Sequence, residues 1–185
     1  NNIYNSYHHQ EARVQCSDLI TGKNCAGYPT DGFDLDAQLN LLNWATLTGR
    51  SGADFSNSML QNNNAGVRFR CLDASRPECY DLLLATSFFM SDNNRYHFGI
   101  TCFNIQTRAL CASNPVTILN PTAVYGTRLT FGGIHSLEEY DGKAFSVDSG
   151  LNLLCYDLTT STSCSGFPRS LTSVLPAATT SNGHD

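Results

Sequence analysis

The sequence predicts an all-β protein assembled from repeated, cysteine-stapled hairpins. Three observations carry this. The eight cysteines fall into four close pairs with none left over: Cys16/Cys25, Cys71/Cys79, Cys102/Cys111 and Cys155/Cys164. Two of the pairs share a longer text, Cys16-Ser-Asp-Leu-Ile-Thr-Gly-Lys-Asn-Cys25-Ala-Gly-Tyr-Pro29 and Cys155-Tyr-Asp-Leu-Thr-Thr-Ser-Thr-Ser-Cys164-Ser-Gly-Phe-Pro168, and repeated text marks a repeated structural unit. The flanking residues alternate with a period of two between clusters of turn formers, which is the pattern of strands rather than helices.

The elements follow in order. In the first unit Val14, Cys16 and Asp18 alternate with Arg13, Gln15 and Ser17. Thr21-Gly22 turns the chain, glycine supplying a positive φ, and Asp18 is placed to accept from backbone N–H groups of that turn. Cys25 then lies opposite Cys16, and Gly27-Tyr28-Pro29 ends the return strand, because proline cannot donate to a ladder. Asp36 to Trp44 is the best helix candidate, with Leu35, Leu39 and Leu42 on one face, and it delivers Trp44 to the core. The second unit keeps an aspartate in Cys71-Leu72-Asp73, but its loop is one residue shorter and the Gly-aromatic-Pro tail is missing. The third keeps Cys102-Phe103-Asn104-Ile105, Thr107 and Pro115, with Asn in place of Asp. The last places Leu153, Cys155 and Asp157 on one face. Upstream of it, Asp141-Gly142 reads as a two-residue hairpin turn. Strands are therefore expected near 129–131, 137–140, 143–147 and 151–157, and four antiparallel strands within about 50 residues describe one propeller-type blade.

An even cysteine count in close pairs favours disulfides and an oxidising compartment over free buried thiols or a metal site. Zinc ligands usually arrive as C-x2-4-C, and the histidines (His8, His9, His97, His135 and His184) do not assemble a ligand set. Each pair flanks a turn, so the bond within each pair is expected. Closing a loop of about ten residues stabilises by ~2–3 kcal/mol in the chain-entropy model.

The stretches Val14 to Gly22 and Leu153 to Thr160 resemble the aliphatic-x-Asp-x-x-Thr-Gly strand of PQQ-type and related β-propellers, and residues 140–143 resemble the preceding blade hairpin. The stapled form, Cys-x-Asp-Leu-x-Thr followed by Cys-x-Gly-aromatic-Pro, is similar to repeats in extracellular surface proteins. The resemblance implies a β-propeller-like array of about four antiparallel blades, each with a stapled hairpin. It carries over no catalytic or cofactor residue. The first cysteines of successive pairs are 55, 31 and 53 residues apart, and 31 is short for a four-stranded blade. A tandem of two ~85-residue β units, or a β-sandwich, is the alternative. A short array with open edges would recruit further chains.

Composition bounds the function. Residues 1–176 read as one repeat-built domain and 177–185 as a polar tail. Charged residues make up 15% of the chain and the net charge is −5, with no basic cluster beyond Arg68-Phe69-Arg70; nucleic acid, which needs a basic stripe, is not expected as a partner. No apolar run approaches the ~20 residues of a membrane span. The chain opens at Asn1-Asn2-Ile3-Tyr4 without a signal peptide, which for a secreted protein implies the mature form. No Asn-x-Ser/Thr sequon occurs. Asp31, Asp34 and Asp36 lack the spacing of a calcium loop, and the adjacent Glu138 and Glu139 point to opposite faces of a strand, a poor acid/base pair. No catalytic, cofactor or metal site is expected. The expected function is that of a secreted structural or adhesive protein, a subunit of an extracellular surface assembly or filament that self-associates through exposed strand edges. A glycan-binding, lectin-like propeller is the alternative, on the strength of the many aromatics, and a propeller-scaffold enzyme is a third reading.

Overall fold

A computed structural model of the chain describes residues 2–7, 13–60, 67–69, 80–91, 95–120, 137–148 and 151–174. The protein is mostly β, in three antiparallel sheets. The first contains β1 (Asn2–Tyr7), β2 (Arg13–Asp18) and β3 (Phe33–Asp34) in that order. The middle sheet is built on a long hairpin of β6 (Asp81–Met90) and β7 (Arg95–Asn104). β4 (Phe55–Leu60) and β5 (Val67–Phe69) pair with opposite ends of β6, and β8 (Ala109–Leu110) and β9 (Val116–Ile118) with opposite ends of β7. The third sheet is a meander of β10 (Glu138–Tyr140), β11 (Lys143–Val147), β12 (Asn152–Asp157) and β13 (Thr162–Ser163), with β14 (Arg169–Ser170) also on β12.

The middle sheet is buried on both faces, and alternation along β6 shows how. Leu82, Leu84, Phe88 and Met90 share one apolar cluster with Val14, Leu35, Leu39, Trp44 and Phe55. Leu83 and Ala85 point the other way, into a cluster with Ala144, Leu154, Tyr156 and Leu158 of the third sheet. The first sheet and the helices thus cover one face and the third sheet covers the other. A strand buried on both sides reads as a continuous apolar run rather than an alternation, as Asp81–Met90 does. Gly99 on β7 faces Ile118 on β9, and a Cβ there would collide with the Thr117 carbonyl.

The expected helix over 36–44 is two short helices, α1 (Asp36–Leu39) and α2 (Trp44–Thr48). Asn43 breaks the run because its side chain accepts from Thr46 N–H at 3.0 Å and starts a new helix, and Gly49 ends it at φ 69°. Trp44 is buried as expected; its Nε1 donates to the Leu39 carbonyl at 2.8 Å, and its ring stacks on Phe55 at 5.0 Å. The hairpin at Asp141-Gly142 has both residues at positive φ, 50° and 67°, as a type I′ turn requires. The strands expected near 137–140, 143–147 and 151–157 are present, although on β12 it is Leu154 and Tyr156, not Leu153 and Asp157, that enter the core. The strand expected near 129–131, the pair Cys71/Cys79 and the tail 177–185 lie outside the described residues.

The 31-residue interval has a structural reason. β5 ends two residues before Cys71 and pairs with β6, and β6 pairs with the strand that bears Cys102. The connection that holds Cys71 and Cys79 therefore joins two strands of the middle sheet, so the four cysteine pairs correspond to three sheets among the described residues. The middle sheet also crosses the midpoint of the chain, so the strands group in three rather than in two halves of ~85 residues.

Candidate interaction surface

Each sheet carries one stapled turn, and the three described staples have one geometry. Cys16–Cys25, Cys102–Cys111 and Cys155–Cys164 are disulfides with Cα separations of 5.4, 5.4 and 5.3 Å. In each, the second cysteine's N–H donates to the first one's carbonyl, at 2.9, 2.9 and 3.0 Å. Two residues past the first cysteine stands Asp18, Asn104 or Asp157. The Asp18 Oδ1 accepts from Ile20 and Thr21 N–H, the Asn104 Oδ1 from Gln106 and Thr107, and the Asp157 Oδ1 from Thr159 and Thr160, all within 2.8–3.0 Å. Four residues past the acceptor the chain takes positive φ, at Gly22 (67°), Arg108 (57°) and Ser161 (58°).

Donation from Thr21 and then Ile20 holds the Asp18 carboxyl below its ordinary value. Thr160 N–H first, and Thr159 less, do the same for Asp157, against a smaller opposing effect of burial. The middle unit uses Asn for a reason visible in its surroundings. Asn104 Nδ2 donates to the carboxylate of the buried Asp81 at 2.8 Å. An aspartate there would present a second carboxylate to Asp81.

The units also touch one another in a repeated way. Call the stretch after each second cysteine its exit segment. Tyr28, in the exit segment of the first unit, donates from its hydroxyl to the Ile105 carbonyl in the middle unit's turn at 3.3 Å. Arg108 in that turn donates back to the Ala26 carbonyl at 3.2 Å and lies over the Tyr28 ring. It also fills the space that a side chain at Gly27 would need. The middle unit's exit segment meets the third unit's turn likewise: Asn114 Nδ2 donates to the Thr160 carbonyl at 3.5 Å and Thr117 Oγ1 to the Ser161 carbonyl at 3.1 Å. The direction is the same both times, from exit segment of one unit to turn of the next.

One side chain records this order. The residue after the acceptor is aliphatic in all three turns: Leu19, Ile105 and Leu158. Ile105 packs against the first core cluster and Leu158 is buried in the second. Leu19, whose turn no described unit precedes, is 57% exposed, and Ile20 beside it 80%. At the other end, the third unit's exit segment holds Phe167, over whose ring Arg169 sits at 5.0 Å, and runs on to the exposed Val174.

The other sequence candidates do not converge. The Asp34 carboxylate accepts from Asp36 N–H at 2.9 Å and so serves the start of α1. Glu138 and Glu139 are exposed on β10. Asp81, Cys102 and Cys111 bring potential ligand atoms together, but the two sulfurs are bonded to each other and offer no thiolate. Among the described aromatic side chains, Tyr80 and Tyr140 are the exposed ones. No helix among the described residues is long and apolar enough to cross a membrane. Sequence reasoning missed the positive-φ position at Arg108 and Ser161, which superposing the three repeats on Gly22 would have flagged, and the contacts between units, which no single repeat contains.

No family model matches the chain, and no curated protein or solved structure matches it significantly.

Proposed function

We propose that this is a secreted, non-enzymatic structural or adhesive protein, a subunit of an extracellular surface assembly built from propeller-type, disulfide-stapled blades. The observation that carries the reading is the repeated exit-to-turn contact, because a head-to-tail repeat has two unlike ends and extends by addition at either. Three local staples fit an oxidising compartment. Among the described strands β1 pairs only with β2, and β10 only with β11, which supports association through strand edges. The lectin-like alternative draws on fold analogy and on Tyr80 and Tyr140.

Sedimentation velocity over a wide concentration range, with electron microscopy of the same samples, tests the reading. Oligomers that grow with concentration are expected. A monomer at every concentration, together with selective retention on a glycan array, would replace it with the lectin reading.

A further inference from the structure

Building on the assembly reading, we propose that copies of the chain join head to tail, the exit segment of the third unit (residues 165–170) in one copy seating on the turn Asp18–Gly22 of the next. The argument is continuity with a contact the chain already makes twice. In both internal contacts a turn receives the exit segment of the unit before it, and the aliphatic residue after the acceptor is drawn out of solvent: Ile105 packs at the first core and Leu158 is buried at the second. Leu19 occupies the same place and stands 57% exposed. What covers it should therefore have the character of an exit segment.

Within the chain, the third unit's exit segment is the one left over, and the layer order keeps it from Leu19. The first and third sheets lie on opposite faces of the middle sheet, about 20 Å apart when packed sheets are ~10 Å from one another. The occupant is thus the exit segment of a second copy.

The chemistry of the two ends agrees with this. Tyr28 and Asn114 both stand three residues after the second cysteine and donate to carbonyls of the next turn. Phe167 holds the same position in the third unit and has no donor, while the turn it would meet offers Leu19 and Ile20. An apolar contact thus replaces a polar one. Thr117, six residues after its cysteine, donates to the Ser161 carbonyl. Its counterpart is the exposed Ser170, whose hydroxyl would reach the Gly22 carbonyl in the same manner. Arg169, over Phe167 as Arg108 is over Tyr28, is placed to approach the Asp18 carboxylate.

The test uses the full chain with a benzophenone amino acid in place of Ile20, prepared as an equal mixture of 14N and 15N protein and irradiated at concentrations where oligomers form. Mixed-isotope cross-links into residues 165–174 are expected. Mixed-isotope cross-links elsewhere would overturn the docking while leaving assembly standing. Same-isotope cross-links alone, with oligomers present, would mean that a chain covers its own turn and would also overturn it. Absence of oligomers in the unmodified protein would remove both this proposal and the assembly reading. In parallel, Leu19→Asp and Ile20→Asp, which alter exposed side chains, should raise the concentration for half-assembly about tenfold or more with an unchanged circular dichroism spectrum. Assembly at the original concentration in either folded variant would refute the contact.

Discussion

The staple of the middle sheet is expected to contribute more stability than either of the other described staples, and the double substitution Cys102→Ala/Cys111→Ala measures it. The two cysteines are nine residues apart, and closing a loop of about ten residues in the unfolded chain corresponds to about 2.7 kcal/mol at 25 °C. That part is common to all three, since each spans nine residues. The difference lies in packing. Cys102 and Cys111 are both buried, in the cluster with Leu83, Ile100 and Leu119, whereas Cys25 and Cys164 are half-buried. Removing a buried sulfur resembles removing a buried methyl, about 1 kcal/mol each. The middle pair should therefore cost about 4–5 kcal/mol and each other pair about 3–4 kcal/mol. For a domain of this length the larger figure lowers the melting temperature by about 10–18 °C. Urea unfolding of the three double variants, extrapolated to water, is the assay. A loss below about 1 kcal/mol at the middle pair would refute the restraint on the unfolded chain, and a larger loss at Cys16/Cys25 than at Cys102/Cys111 would refute the packing argument.

Three further outcomes are expected. Asn104→Asp sets a carboxylate against Asp81 and should destabilise by about 2–4 kcal/mol at pH 7, the ordinary cost of protonating one of the two; the deficit should shrink on titrating to pH ~4.5, and a deficit independent of pH would contradict the explanation. Gly99→Ala drives a methyl into the Thr117 carbonyl across the β7–β9 pair and should cost about 1–3 kcal/mol, read by thermal denaturation, with no loss counting against the close approach. Asp18 and Asp157 have folded-state pKa values depressed below the ordinary 3.8, so their contribution is present above that value and is lost as pH falls through the folded value. Asp157→Asn, which retains the acceptor as Asn104 does, should flatten the acid limb of the stability curve relative to wild type, and an acid limb as steep as before would exclude Asp157 as a contributor.

What the sequence revealed is local, and what it concealed is relational. The acceptor at Asp18, the hairpin at Asp141-Gly142 and the burial of Trp44 depend on neighbours within a few residues, where turn chemistry and alternation are decisive. The split of the expected helix was also within reach, since Asn43-x-x-Thr46 is a capping signature. The grouping of strands was not. Counting one blade per cysteine pair fails at Cys71, because membership of a sheet is settled by which strand β6 pairs with, and pairing leaves no mark in spacing. For the same reason the candidate surface was only half legible. Leu19 reads as an ordinary strand-end aliphatic, and its exposure becomes informative only beside Ile105 and Leu158 in the same place.

The staples have a consequence for how the chain is made. Every described cysteine is bonded to the cysteine nearest to it in sequence, nine residues away. Loops of that length close in about 10–100 ns, far faster than distant segments meet. As the chain emerges into an oxidising compartment, the first thiol that each new cysteine encounters is its native partner, so the order of synthesis itself suppresses scrambled bonds. Oxidative maturation then needs an oxidant but little reshuffling, and it proceeds unit by unit before the sheets have packed.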